Sequence, residues 1–380
     1  MKKRAAVLGA TGSIGKSALD VLERARDHFD VVLLSAHNSG EALAEAARNW
    51  PGADAVLSGA ADGKHRLLSA IAACGAEIVL NGISGAAGLE PSMAAIEAGC
   101  DLALANKETL VMAGPLVLAR AKEKGVQIIP VDSEHSAIYH LLKAHGRGSL
   151  DEIILTASGG PFRNAAIEEM EKATVQDALA HPTWNMGGKI TIDSASMANK
   201  GLEVIEAARL FNIGPERIKV VIHPQSIVHS MIRMKNGAVY AQLSRPDMRL
   251  PIYDALAAAL IDAPNAAPLI EGAPSPFGRL EFDSLSLEFY PPDMEKFPLL
   301  ALAYDAVKRG GLYPCAYNGA NEAAVAAFIA GRIGFTDIGR VTRHVLDGDW
   351  SAEPADIATV MEADKKARET AEAEIEKLFP

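Results

Sequence analysis

Two acidic strings in this sequence carry the side chains that bind a hard cation. Asp132 and Glu134 follow an apolar run that ends at Val131, and Glu203 lies in a helical pattern that begins near Asn199. Residues two apart on an extended chain point to the same side, so the first two carboxylates are expected to converge. Carboxylate oxygens suit Mg²⁺ or Mn²⁺. The pattern predicts a divalent-metal site, although the pair alone equally fits a solvated strand end.

The helix that carries Glu203 offers more polar groups at its beginning. Asn199, Lys200 and Glu203 are three and four residues apart, so they share one face of the first turns. Glu203 is expected to complete the metal site, while Lys200 and Asn199 are suited to an anionic substrate. Two alternatives stay open: an N-cap followed by a surface ion pair, and Glu206, one turn further, as the metal ligand.

Two glycine-punctuated strings lie between these carboxylates. The string SGGPFR offers backbone N–H groups and the Ser158 hydroxyl, which suit a phosphate or a hydroxyl-rich ligand. The string HPTWNMGG places Trp184 and Met186 ahead of two glycines, which is typical of a lid that excludes water. The alternative for an isolated tryptophan is a core anchor. Further hydroxyl groups follow at Ser194 and Ser196.

The glycine-rich string GATGSIG, at residues 9–15, follows the first strand-like run and opens a helical pattern. Glycines permit a tight turn and a close approach to a pyrophosphate, and a helix N-terminus donates N–H groups to it. The second strand-like run ends without the Asp or Glu that usually holds the ribose hydroxyls of NAD. This absence favours NADP(H), although His37 in this turn also fits a solvated loop residue.

The elements that must position these residues indicate an α/β protein. In the first third of the chain, short apolar runs alternate with helical patterns, which predicts a doubly wound parallel sheet. Further on, Asn236-Gly237 joins two strand-like runs as a hairpin, and the pattern beyond Phe297 is helical. The predicted domains are an N-terminal Rossmann-like NADPH domain at 1–131, an α+β catalytic and dimerisation domain at 132–258, a linker at 259–283 and a C-terminal helical domain at 284–380.

Composition excludes several classes of protein. The chain has 380 residues, 49% apolar and 22% charged, as in globular proteins. The net charge of −11 argues against nucleic acid or a membrane surface as a partner. Three cysteines without a CxxC pair favour a reducing cytoplasm. No apolar stretch approaches the roughly 20 residues that span a bilayer, and early glycines interrupt the basic, apolar start that resembles a signal peptide.

Seven strings, spread in order over nearly the whole chain, are specific enough to be compared together: GATGSIG, Asn106-Lys107-Glu108, DSEHSA, SGGPFR, HPTWNMGGKITIDSASMANKGLE, HPQSIVHS and NGANEAAV. Together they resemble the 1-deoxy-D-xylulose 5-phosphate reductoisomerase family. The resemblance implies an NADPH-dependent, divalent-metal-dependent isomerisation and reduction of 1-deoxy-D-xylulose 5-phosphate. The product would be 2-C-methyl-D-erythritol 4-phosphate, on the methylerythritol phosphate route to isoprenoids, and the enzyme would be a homodimer.

The same resemblance implies roles for individual residues. The metal ligands would be Asp132, Glu134 and Glu203, rather than Glu206. The phosphate of the sugar substrate would be held by Ser158, Ser194, Asn199 and Lys200. The rest of the substrate would be contacted by Lys107, Ser133, Glu134, His181 and Glu203, under a lid formed by Trp184 and Met186. NADPH would be contacted by Thr11, Gly12, Ser13, Ile14, Ala36, His37, Asn38, Asn106, Glu108 and Gly187. His37 departs from the family, in which Lys or Arg is common, and this bears on the strength of the NADPH preference.

Two other functions would use some of the same features. A semialdehyde or acyl-phosphate dehydrogenase has a similar glycine turn but needs a cysteine nucleophile, for which Cys100 is the candidate. The alternative for Cys100 is a buried apolar residue in a helix-to-strand turn. A regulator that senses NADP(H) without turnover would have no use for three converging carboxylates. Metal-dependent NADPH oxidation therefore separates the predicted enzyme from the regulator.

Overall fold

The computed structural model describes residues 2–184, 186–260 and 276–378. Its contacts divide the chain into two compact units, each assembled from separate stretches of sequence. The first unit comprises Met1–Thr109, Val117–Tyr139 and Asp247–Leu280. The second comprises Leu110–Leu116, His140–Pro246 and Glu281–Pro380. Most of the linker predicted at 259–283 lies outside the described residues, and the division into consecutive domains stays a prediction.

The first part of the chain alternates strands and helices. The strands are β1 (Lys3–Leu8), β2 (Phe29–Ala36), β3 (Asp54–Leu57), β4 (Ile78–Asn81), β5 (Asp101–Leu104) and β6 (Ile128–Pro130). The helices are α1 (Ser13–Arg24), α2 (Gly40–Arg48), α3 (Gly63–Ala73), α4 (Leu89–Glu97), α5 (Lys107–Lys124) and α6 (Ser133–His145). Helix α5 is kinked at Ala113, two residues before Pro115, whose ring cannot fit a straight helix.

The described residues beyond α6 contain four strands and more helices. The strands are β7 (Leu150–Ala157), β8 (Ile218–Ile222), β9 (Val228–Met234) and β10 (Val239–Leu243). The helices are α7 (Ile167–Met170), α8 (Val175–Leu179), α9 (Gly188–Ala195), α10 (Ala198–Leu210), α11 (Arg249–Leu260), α12 (Pro298–Arg309), α13 (Tyr313–Ile329), α14 (Asp337–Leu346) and α15 (Ile357–Leu378). Within the described ranges, no helix has both the length and the apolar character that crossing a membrane requires.

The sheet of the first unit confirms the predicted doubly wound fold. Its six strands are all parallel, in the order β3-β2-β1-β4-β5-β6, which is the Rossmann order. The side chains of β1 from Ala5 to Leu8 are buried, because this strand lies in the middle of the sheet with both faces covered. The order of connection reverses between β1 and β4, because β2 and β3 follow on one side of β1 and β4 to β6 on the other. Ligands of such sheets bind at the carboxyl ends of the strands at this reversal.

Helix α11 belongs to the first unit although it comes late in the sequence. It packs against α1, β5 and β6, with Ile252, Ala255 and Leu256 buried. The Arg249 guanidinium donates to the Asp20 carboxylate of α1 at 3.1 Å. The helix is thus fixed to the first unit by apolar burial and by this charged hydrogen bond.

The second unit is built on a mixed four-stranded sheet. Its order is β10-β9-β7-β8, with β7 parallel to β8 and antiparallel to β9. The predicted hairpin between β9 and β10 is confirmed. Gly237 has φ +87°, and the Asn236 Oδ1 accepts from the Ala238 N–H at 3.0 Å, so both residues suit the turn.

The C-terminal helices confirm the helical pattern expected beyond Phe297. Helix α13 packs against α14 and α15, and α10 packs against α12. Tyr317 of α13 is fully buried, and its hydroxyl donates to the Leu299 carbonyl of α12 at 3.1 Å. Burial of both faces of α13 gives the second unit an apolar centre behind α10 and α12.

Candidate active site

The turn between β1 and α1 leaves its backbone open to an anion. Gly9 has φ +76°, and a Cβ there would lie 2.8 Å from the Gly82 carbonyl oxygen, so only glycine fits without a shift. Gly12 and Ser13 are exposed at the start of α1, whose first turn contains no acidic residue. The N-terminal N–H groups and the helix dipole favour a phosphate there. Of the other predicted contacts in this turn, Thr11 and Ile14 are half-buried.

The end of β2 is free of carboxylates. Ala36 is buried, while His37 and Asn38 are exposed in the following turn. The His37 Nδ1 lies 3.2 Å from the Ser58 hydroxyl oxygen, which holds the ring near the strand end. No acidic group in residues 34–39 would repel a 2′-phosphate, and no Lys or Arg would attract one.

Asn106 and Glu108 shape the loop that follows β4. The Asn106 Oδ1 accepts from the Thr109 N–H at 3.1 Å and caps α5, while its Nδ2 donates to the Ile83 and Gly85 carbonyls at 2.8 and 2.9 Å. The Glu108 Oε1 accepts from the Gly85 N–H at 3.1 Å. Both side chains are buried, so they fix the loop opposite the glycine turn. Their direct contact with a nucleotide stays a prediction.

The structure corrects the expected geometry of Asp132 and Glu134. Asp132 and Glu134 do not lie on an extended chain, because α6 begins at Ser133, directly between them. The Asp132 carbonyl accepts from the Ser136 N–H at 2.8 Å, and its Oδ1 lies 3.3 Å from the Glu134 nitrogen. An aspartate at such a position caps a helix and starts it at once. Glu134 therefore lies in the first helical turn.

Asp132 is a buried carboxylate with cationic and polar partners. It forms an ion pair with the Lys107 ammonium at the start of α5, and both side chains are almost fully buried. The His135 Nδ1 lies 3.5 Å from the Asp132 Oδ1. Burial would raise the pKa of Asp132, but the Lys107 charge and the His135 hydrogen bond outweigh it and hold that pKa well below its ordinary value. The carboxylate is therefore ionised. Beside it, the Ser133 hydroxyl donates to the Glu134 carboxylate at 2.5 Å.

In the second unit, Ser158 and His181 meet in one hydrogen bond. The His181 Nε2 lies 3.0 Å from the Ser158 Oγ. The His181 Nδ1 accepts from the Thr183 and Trp184 N–H groups at 3.1 and 2.9 Å, so the ring proton must be on Nε2. Burial, with a smaller effect of Arg163, lowers the pKa of His181. His181 is thus a neutral donor to Ser158.

The loop after β7 packs directly against α9. Gly160 has φ +65°, and a Cβ there would lie 2.9 Å from the Ser194 carbonyl oxygen. Ser194 itself is half-buried near the end of α9. The structure therefore brings the Ser158 loop and the Ser194 backbone together, as expected if both serve one ligand.

Helix α10 gathers the other predicted polar residues of this unit. Met197, with φ +62°, turns the chain from α9 into α10. The Asn199 Nδ2 donates to the Glu203 Oε1 at 2.6 Å, and Lys200 forms an ion pair with the other carboxylate oxygen. Lys200 and Glu203 are buried, so the alternative of a surface pair is wrong. Glu206, one turn further, is buried as well.

The segment 181–188, called here the flap, carries the predicted lid residues. Trp184 is half-buried and meets His229 of β9 edge to face, with ring centroids 6.3 Å apart. Met186 is half-buried, and Gly187 precedes α9 as an exposed residue. His229 was not among the residues predicted from the sequence, and its Nε2 lies 2.9 Å from the Ser244 hydroxyl oxygen. The sequence signal that could have indicated His229 was its place in the string HPQSIVHS, where polar side chains occur within a strand-like run.

The chemistry of these groups does not support a cysteine nucleophile. Burial is the main cause that raises the pKa of Cys100 to about 11, so the thiol is protonated at neutral pH. Its Sγ lies 3.1 Å from the Ala76 carbonyl oxygen, as expected of a packed structural cysteine. The interpretation of Cys100 as a buried apolar residue is confirmed.

A Rossmann-ordered unit with a bare glycine turn, together with buried lysine–carboxylate pairs, defines a class of dinucleotide-dependent enzymes that act on small anionic substrates. Family models of 1-deoxy-D-xylulose 5-phosphate reductoisomerase match residues 5–62 and 56–114, and models of its C-terminal domains match 128–211 and 243–370. The reductoisomerase of Treponema denticola is 46% identical, over 98% of this chain and 97% of its own. That of Chlorobium phaeovibrioides is 47% identical, over 96% and 97%.

Solved structures show the same similarity in three dimensions. The reductoisomerase from Zymomonas mobilis in complex with NADPH has a TM-score of 0.87 and 39% identity, over 99% of this chain and 100% of its own. A DOX-P reductoisomerase in complex with NADPH, fosmidomycin and magnesium has a TM-score of 0.87 and 35% identity, over 99% of both chains. The chain belongs to the 1-deoxy-D-xylulose 5-phosphate reductoisomerase family.

Proposed function

We propose that this protein converts 1-deoxy-D-xylulose 5-phosphate to 2-C-methyl-D-erythritol 4-phosphate, with NADPH as reductant and a divalent metal as cofactor. The observation that carries the proposal is similarity over nearly the full length to reductoisomerases, two of them solved with NADPH and one of these also with magnesium. The first unit offers backbone N–H groups to a nucleotide, and the second offers hydroxyl, amide and ammonium groups to a sugar phosphate. The reaction belongs to the methylerythritol phosphate route to isoprenoids.

NADPH is assigned to the carboxyl edge of the Rossmann-ordered sheet. The glycine turn offers N–H groups to the pyrophosphate, and the end of β2 carries no acid against a 2′-phosphate. Asn106 and Glu108 hold the loop beside the turn. The proposed contacts are Thr11, Gly12, Ser13, Ile14, Ala36, His37, Asn38, Asn106, Glu108 and Gly187.

Asp132, Glu134 and Glu203 are proposed as the ligands of Mg²⁺ or Mn²⁺. The donor set fits a hard cation, because it consists of carboxylate oxygens, one of them with a depressed pKa. Lys107 compensates the charge of Asp132, and Lys200 that of Glu203. With a divalent ion held by these carboxylates, Lys107 and Lys200 would be available to an anionic substrate. A bound divalent ion supplies Lewis-acid stabilisation of negative charge on substrate oxygens.

The substrate phosphate is assigned to Ser158, Ser194, Asn199 and Lys200. The contact between the Ser158 loop and the Ser194 backbone supports a single subsite, and the neutral His181 orients the Ser158 hydroxyl. Phosphate binding takes no part in bond breaking, yet its binding energy can fix the reacting atoms and close the flap. Trp184 and Met186 would then exclude water, while Lys107, Ser133 and His181 contact the rest of the sugar.

We further propose that the enzyme is a cytoplasmic homodimer. Strand β10 lies at the edge of its sheet, and Val239 and Tyr240 are large apolar side chains exposed on it. An exposed edge of this kind can pair with a second copy. All three cysteines are free thiols, as expected in a reducing compartment.

The deciding experiment is NADPH oxidation with 1-deoxy-D-xylulose 5-phosphate, followed by absorbance and by analysis of the product. Turnover is expected with Mg²⁺ or Mn²⁺ and is expected to be lost on chelation. Metal-independent turnover would contradict the assignment of the carboxylates. Binding of NADPH without any turnover would favour the regulator.

A further inference from the structure

A buried carboxylate lies directly before Ser194, and a helix far along the chain holds it. Asp193 of α9 is 1% exposed. Its Oδ2 lies 2.8 Å from the Lys189 ammonium of the same helix, and its Oδ1 accepts from the Asn321 Nδ2 of α13 at 2.8 Å. Asn321 is fully buried and 128 residues away in sequence. A buried carboxylate needs such donors to remain in the interior.

Glu322, which follows Asn321 in the sequence, belongs to a charged network on the C-terminal helices. It accepts from Asn318 at 3.0 Å and from Arg368 of α15 at 2.7 Å, and Arg368 also donates to Asp364 at 2.7 Å. Burial alone would raise the pKa of Glu322, but the charges of Lys189 and Arg368 lower it. The network thus links α9, through Lys189, to α13 and α15, and it holds the part of α13 that carries Asn321.

Helix α13 also lies directly behind α10. A Cβ at Gly201 would lie 2.6 Å from the Tyr317 hydroxyl oxygen of α13 and 2.8 Å from the Ala303 Cβ of α12, so the Tyr317 side chain reaches the backbone of α10 only because residue 201 is glycine. Gly201 follows Lys200 in the sequence. One helix therefore supports both α9, with Ser194, and α10, with Asn199 and Lys200.

We propose that Asn321 is a positioning residue for the substrate phosphate, acting through Asp193 on the end of α9 that presents Ser194. The inference rests on the phosphate subsite proposed above. Helix α9 has only eight residues, so a few contacts decide how its last turn is oriented. The bond from Asn321 sets the distance between Ser194 on α9 and the phosphate-binding side chains on α10.

The amide at this position has a specific chemical requirement. Asp193 offers only acceptors, so position 321 must donate, and an aspartate there would place two carboxylates against each other. Exchanging the two side chains restores one donor and one acceptor with the same total charge. The exchange therefore tests the hydrogen bond, and Tm measured beside the KM separates a positioning role from a loss of stability alone.

The test compares Asn321→Asp, the exchange Asp193→Asn/Asn321→Asp, and Asp364→Asn as a matched control in the same network. Asn321→Asp is expected to raise the KM for 1-deoxy-D-xylulose 5-phosphate about tenfold, while kcat changes by less than about threefold and the KM for NADPH stays constant. The exchange is expected to return the sugar-phosphate KM to within about threefold of wild type. Asp364→Asn is expected to lower Tm without changing that KM.

Three results would overturn the inference while wild type remains active. The first is an unchanged sugar-phosphate KM in Asn321→Asp, and the second is an exchange variant that recovers Tm but not this KM. Parallel rises in both KM values with a lower Tm, in Asn321→Asp and Asp364→Asn alike, would also overturn it, because the role would then be structural only. Wild-type protein that never oxidises NADPH with the sugar phosphate would refute the proposed function, and the inference would fall with it.

Discussion

The two units prepare their binding groups in different ways. In the first, the nucleotide turn offers backbone N–H groups, and the side chains nearby serve mainly to shape loops, as Asn106 does. In the second, the proposed binding groups are side chains such as Ser158, Lys200 and Glu203, each held by a hydrogen bond or an ion pair with another side chain. A site made of backbone N–H groups requires glycines, whose lack of a side chain leaves those groups accessible. A site made of side chains requires other residues that hold each side chain in place. Substitutions should therefore affect the two units differently.

The largest effect is expected from Glu203→Gln. Loss of a carboxylate from the proposed metal site should reduce kcat about 1,000-fold, since a bound cation contributes several kcal/mol to stabilising the transition state. NADPH affinity, measured by fluorescence titration, should stay within about twofold, because the glycine turn belongs to the first unit. The control is Glu206→Gln, a buried glutamate on the same helix. If Glu206→Gln abolishes turnover and Glu203→Gln does not, the metal ligand on this helix is Glu206 and the assignment of Glu203 is wrong.

A smaller effect is expected from Lys200→Ala. Removing a charge-assisted contact to phosphate costs about 1.5–3 kcal/mol, which corresponds to a rise of roughly 10- to 100-fold in the KM for the sugar phosphate. The KM for NADPH should not change. Lys219→Ala removes an exposed lysine from the same unit and should leave both constants unaltered. An equal rise in the KM values for the sugar phosphate and for NADPH in Lys200→Ala would contradict the assignment of the two ligands to different units.

Gly9→Ala should show the opposite selectivity. A positive φ costs an L-residue about 1–2 kcal/mol, and the added Cβ would press on the Gly82 carbonyl. NADPH affinity is expected to fall about tenfold, with a lower Tm and an unchanged KM for the sugar phosphate. Gly52→Ala is the control, because its Cβ would meet open space. Undiminished NADPH binding would show that the turn is not part of the nucleotide site.

The smallest effect is expected from titration of His181. Its pKa in the folded protein is lowered, so between that value and about 6.5 the unfolded chain binds more protons. The contribution of His181 to stability is therefore complete above about pH 6.5 and is lost as the pH falls towards the folded value. ¹⁵N NMR of the histidines at about pH 8, above the ordinary histidine pKa, should show a neutral ring with its proton on Nε2. A ring protonated on Nδ1 would contradict the bonds from Thr183 and Trp184.

Local chemistry made much of the fold and part of the site predictable. The buried runs of β1, β2, β4 and β5 are continuous and apolar, which is the pattern of central parallel strands. The glycine turn and the Asn236-Gly237 hairpin depend on φ values that few residues adopt. The prediction of an extended chain from Asp132 to Glu134 was wrong, because the Asp132 side chain caps α6 and the helix begins at the next residue.

The sequence by itself determined the Rossmann alternation, the glycine turn and the identity of the acidic and amide side chains, because each depends on residues within a few positions of one another. Only the tertiary structure decided that His181 is a neutral donor to Ser158, that α11 returns to the first unit, and that Asn321 holds Asp193. The two hydrogen bonds join residues that are 23 and 128 positions apart in the sequence. Helix α11 likewise joins the first unit from a distant part of the chain. Burial and the need to pair buried polar groups select these contacts, and neither can be read from local spacing.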